Sequence, residues 1–145
     1  MPAPTRRRPA LVAALACAAA VAVAGSSVPA ATAPAPPLQG AWTWTDRDEL
    51  LAAADNPTVA RFTVHGHRAR VRFGTGRAVA VRWNRRRGTI AFVAPRRAAT
   101  PRVRTVRVRY TGRLVREAGT PTIRGTFRVR GQRLPSAFSA TRRGR

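Results

Sequence analysis

Histidine occurs twice in this 145-residue chain, at His65 and His67. A His-x-His pair on a strand turns both rings to one side, a spacing found in metal sites. A site also needs a third ligand and partners that orient the rings. Here the pair straddles Gly66, in what reads as a tight turn, among arginines that would repel a cation. The expected role is that of exposed turn residues. Carboxylates offer a second chemistry, because Asp46, Asp48, Glu49 and Asp55 crowd one segment. Two carboxylates flanking a cleft can perform acid–base work or hydrolyse glycosides. The same residues suit a helix start better. Asp46 with Glu49 three places on forms a capping box, Asp48 complements the helix dipole, and Asp55 sits near the end. No Gly-x-Ser-x-Gly, phosphate loop or nucleophile–histidine pattern appears, and most serines and threonines fall on solvent-facing strand positions. The expectation is a protein without catalysis, metal or cofactor.

Arginine supplies every basic residue, 28 in all, with no lysine. Setting aside Arg6, Arg7 and Arg8 leaves 25 arginines against five acids, a charge of about +20. Such a surface attracts polyanions: cell-wall polymers, acidic polysaccharide, anionic lipid or nucleic acid. Compositional bias toward arginine would explain the missing lysine but not the scarcity of Asp and Glu.

The three N-terminal arginines precede an apolar run, Ala10 to Ala24, that closes on Ala22-Val23-Ala24 before Gly25. A positive region, an apolar region and a small-x-small site read as an export signal over residues 1–24. The run is short of the roughly 20 residues that a spanning helix needs. A retained anchor and a lipoprotein are the alternatives. Ala14-Leu15-Ala16-Cys17 is a poor lipobox, its bulky residue one place too late, and Pro9-Ala10 fits badly after a twin-arginine pair. Cys17 is the only cysteine, so past the signal neither disulfides nor thiolate metal sites can form. Residues 25–39 are Pro/Ala/Ser-rich and aperiodic, the composition of a flexible or extended tether. Residues 40–145 suffice for one modest domain.

Within that domain the apolar residues alternate with period two, the mark of strands with one buried face. Val106, Val108, Tyr110, Gly112 and Leu114 oppose Arg107, Arg109, Thr111 and Arg113. Ala69, Val71 and Phe73 oppose Arg68, Arg70 and Arg72, while Ile123, Gly125, Phe127 and Val129 oppose Arg124, Thr126, Arg128 and Arg130. Strands are predicted at 41–45, 59–64, 68–73, 77–83, 89–93, 104–115, 123–130 and 136–142, about eight. His65-Gly66-His67 and Gly74-Thr75-Gly76 predict tight turns, 84–88 and 117–121 five-residue loops, and 94–101 a longer excursion. Short links imply antiparallel neighbours. One short helix is predicted over Leu50 to Ala54, ended by Asn56-Pro57. The fold expected is all-β: a small antiparallel up-and-down barrel or meander, with a half-open barrel or two-sheet sandwich as the alternative.

Gly40-Ala41-Trp42 opens the first strand and Arg142 closes the last. This pairing resembles the calycins (lipocalins, fatty-acid-binding proteins, avidins), in which a G-x-W packs beneath a basic residue of the final strand. Ile123-x-Gly125-Thr126-Phe127 and Phe138-Ser139-Ala140-Thr141-Arg142 look like the final hairpins of small secreted bacterial β-proteins. The resemblance implies a closed barrel and, in its carrier members, an apolar interior site.

Sheet proteins that bind single-stranded nucleic acid stack bases on outward aromatics. Here Phe62, Phe73, Trp83, Phe92, Tyr110, Phe127 and Phe138 have inward parity, and only Trp42 and Trp44 are ambiguous. That disfavours nucleic acid. The function expected is a secreted or envelope-associated binding protein held to anionic envelope polymers or acidic polysaccharide. The residues expected to bind are Arg68, Arg70, Arg72, Arg107, Arg109, Arg124, Arg128 and Arg130. The competing expectation is a carrier of a small apolar ligand, lined by Trp42, Trp83, Tyr110 and Phe127. Membrane contact is expected only through an uncleaved signal or a lipidated Cys17.

Overall fold

The computed structural model describes residues 36–144. The export segment 1–24 and residues 25–35 of the expected tether lie outside the described residues. Alternation becomes eight strands: β1 (Gly40–Thr45), β2 (Thr58–His65), β3 (Arg68–Phe73), β4 (Val79–Asn84), β5 (Thr89–Arg97), β6 (Thr105–Glu117), β7 (Thr120–Val129) and β8 (Ser136–Arg142). Each pairs antiparallel with the next, and β8 returns to β1, closing an up-and-down barrel. Closure removes the unpaired edges that an open sheet or sandwich would keep.

Three expectations about the connections need correction. The helix predicted over Leu50 to Ala54 is only a 3-10 turn, Ala53–Asp55, without a side-chain cap. Leu51 is instead drawn into an antiparallel bridge with Ala98, and the Ala52 N–H donates to the Arg97 carbonyl (3.0 Å). Tertiary pairing has overridden a weak local preference. The excursion predicted from residue 94 begins later, because β5 runs on to Arg97 with Pro95 inside it. β4 leaves β5 after Arg82↔Ala91, and β6 faces Pro95 through Arg107, whose carbonyl is taken on its other side by Arg130. The Pro95 nitrogen therefore faces an unpaired edge, where proline costs the ladder nothing. The loop predicted over Glu117 to Pro121 is a two-residue turn, Ala118-Gly119, both at positive φ (46° and 81°) as a type I′ hairpin requires.

Inward parity yields a continuous core. Trp42, Trp44, Phe62, Val71, Tyr110, Ile123, Phe127 and Val129 are fully buried. Trp44 is its hub: it stacks on Phe138 at 4.5 Å between ring centres and meets Phe73 and Tyr110 edge-on at 5.3 and 5.4 Å. Paired Gly112 and Gly125 make room for Phe138, since a Cβ on Gly125 would stand 2.1 Å from the Thr111 carbonyl oxygen and 2.8 Å from the Phe138 ring. Packing begins before Gly40. Pro36 and Leu38 are buried, and the Leu38 carbonyl accepts from Trp42 Nε1 (3.0 Å).

Candidate polyanion-binding face

Because successive residues of a strand point to opposite faces, the parity that buries Val108, Tyr110, Phe127 and Val129 sends their neighbours outward. Register decides which outward residues meet. Arg109 pairs with Arg128 and Arg113 with Arg124, while Thr111 opposite Thr126 lies between them. The two threonine hydroxyls approach to 3.3 Å. Arg130, one residue past β7, donates its N–H to the Arg107 carbonyl (3.0 Å) and so stays in register. Arg107, Arg109, Arg128 and Arg130 thus line one open groove of about 730 Å³, with Thr111 and Thr126 on its floor and Val93 and Pro135 at its margin.

Only two ion pairs form among the described residues, Arg96–Asp46 and Arg124–Glu117. Arg124 Nη2 donates to Glu117 Oε2 (2.8 Å), which partly neutralises it. The four groove arginines have no acidic partner among the described residues. Arg68, Arg70 and Arg72 are exposed on β3, a second basic face on another part of the wall, where Arg72 lies opposite Arg61. The eight arginines singled out from the sequence therefore separate into a four-residue groove, one paired arginine and a distant row of three. Alternation could place each of them outside, but the grouping needed the register. Val93 and Pro135 carried no sequence signal for this groove.

Inside the barrel, Trp42, Tyr110 and Phe127 are buried among other rings, and Trp83 is half-buried against the core. A polar group that parity alone did not place sits among them. Asp46 is not a helix cap: it is buried, accepts from Arg96 Nη2 at 2.9 Å and from the Tyr110 hydroxyl, and lies one β-repeat beyond Trp44. The Arg96 guanidinium lies over the Phe73 ring at 4.6 Å. Burial raises the Asp46 carboxyl above its ordinary range, against the opposing pull of Arg96 and the hydrogen bonds. Burial, then the Asp46 charge, pushes the Tyr110 phenol far up, so it stays a neutral donor.

Asp48 stays on the rim. It accepts from the Leu50 N–H (3.0 Å), Gln132 Nε2 (2.9 and 3.0 Å) and Ser136 Oγ (2.8 Å). Glu49 is exposed. Of the acids predicted as one capping cluster, Asp46 and Asp48 thus serve separate structural tasks. His65 and His67 are exposed at the β2–β3 turn, and no group of three His, Cys, Asp or Glu side chains converges on a metal position among the described residues. No helix among the described residues is long and apolar enough to cross a membrane. Arg142 pairs with Trp42 across the β8–β1 seam, and its guanidinium lies over Gly40 and donates to the Gln39 carbonyl (3.0 Å). Comparison of the chain with protein-family models, curated proteins and solved structures finds no match in any of the three.

Proposed function

We propose that this is an exported, envelope-associated binding protein without catalytic activity, whose β6–β7 face holds anionic surface polymers. The observation that carries the reading is the direct opposition of Arg109 and Arg128, flanked by Arg107 and Arg130, with no ion pair to any of the four among the described residues. Like charges directly opposite on a sheet destabilise it. A polymer of phosphate or carboxylate groups lying in the groove relieves that repulsion and accepts forked hydrogen bonds from the guanidinium groups. Export rests on the N-terminal pattern of residues 1–24.

Kinship with the calycins is part of the same proposal, supported by the closed eight-stranded barrel and by Arg142 lying over Gly40 in register with Trp42. The carrier reading has less support, because three of its four lining residues are fully buried against other rings. Retention on immobilised polyphosphate or acidic polysaccharide tests the proposal. The protein should bind in dilute buffer and elute above several hundred millimolar salt, where the Debye length falls to a few Å. Replacing Arg107, Arg109, Arg128 and Arg130 by Ser should weaken retention without lowering the melting temperature. Retention that survives the fourfold change, or molar salt, would refute it.

A further inference from the structure

Exposed large apolar side chains are concentrated at one end of the barrel. In an up-and-down barrel the β1–β2, β5–β6 and β7–β8 connections share a rim. Leu50, Val103 and Leu134 lie on these three connections and are 38%, 47% and 80% exposed; the only other such residue among those described is Val93 on the wall. These loops are fastened to one another. Asp48 accepts from Gln132 and Ser136, joining the first loop to the last, and the Ala99 N–H donates to the Leu50 carbonyl (3.0 Å), joining the first to the β5–β6 loop. The three connections that carry these exposed side chains are therefore tied to one another.

Exposed Arg47, Arg97, Arg102, Arg104 and Arg133 lie on the same three connections or at the strand ends beside them. Of the acids on this rim, Asp46 is buried against Arg96 and Asp48 is occupied by its hydrogen bonds, leaving Glu49 and Asp55 against five arginines. Single apolar residues on separate loops, with cations on the same connections, suit a soft anionic interface. A protein surface would have to offer each tip its own matched pocket. A bilayer accepts apolar side chains at the headgroup boundary while its phosphates meet the guanidinium groups.

We propose that this rim docks on an anionic lipid bilayer, with Leu134 entering deepest. The docking uses different residues from the polymer groove and stands or falls separately from it. The test uses the full chain with Cys17→Ser and a single label site, Leu134→Cys, carrying an environment-sensitive dye. Vesicles of phosphatidylcholine with phosphatidylglycerol, containing chain-brominated lipid, should shift the dye to the blue and quench it. Vesicles of phosphatidylcholine alone should not. A label at Arg86→Cys, on the opposite rim, should stay unquenched. Leu134→Ser with Val103→Ser should lower vesicle affinity about tenfold or more while leaving retention on polyphosphate unchanged. No shift at residue 134, equal quenching at both rims, or an equal shift with soluble polyphosphate would overturn the proposal.

Discussion

Asp46 and Arg96 stand 50 positions apart and meet inside the barrel, so each is the other's neutralising partner. Removing one partner leaves a buried charge uncompensated, which costs ~3–5 kcal/mol. Asp46→Asn is expected to lower stability by about that much in chemical denaturation. Replacing Asp46 and Arg96 together by Leu and Met should cost far less, because desolvation of both charges is relieved at once. An equal loss in the single and double variants would contradict this account. At this scale the sequence was half legible. Period-two parity marked Tyr110, Phe127 and Val129 as interior, and all three are fully buried. Asp46 reads as a cap because its spacing to Glu49 suits one, and nothing local names a partner 50 positions away. Arg96 continues the inward series of Ile90, Phe92 and Ala94, but Pro95 led the predicted strand to stop short of it.

Strand positions followed directly from alternation, since a one-residue slip would have turned the outward-facing strand arginines inward. Connections were less legible because they are shaped by what they pack on. The segment after β1 looked helical by composition and was pulled into a bridge with Ala98. Asp48 is the clearest case of an element fixed by tertiary bonds, and its titration offers a check. Burial alone would raise its carboxyl, but hydrogen bonds from Gln132, the Leu50 N–H and Ser136 outweigh it and hold the group below its ordinary value of 3.8. A lowered folded-state value means a stabilisation fully present above pH 3.8 and lost as pH falls through that lower value. Melting temperature should therefore drop as pH falls below about 4, and Asp48→Asn should start lower and drop less. A variant whose acid profile parallels that of the parent would show that these bonds do not hold the loops.

For the molecule as a whole, a charge of about +20 beyond the first eight residues opposes compaction. Simple salt should raise the melting temperature by several degrees from dilute buffer, and soluble polyphosphate should do so at far lower concentration; a melting temperature indifferent to both would mean that the arginines are spaced too widely to repel. Which polymer the proposed face would take was not legible, since charge attracts any polyanion and only register grouped the four groove arginines. The seam between β1 and β8 carries a further consequence, for the order of events in folding. Trp42 must find Arg142 at almost the full length of the domain, so the barrel cannot close until its last strand exists. Non-local pairing of this kind is slow. Until closure, β1 and β7 would each present a bare edge able to pair with another chain. An outer surface dense in arginine keeps such half-built chains apart, so the charge proposed to seek polymers also guards the protein against its own unfinished copies.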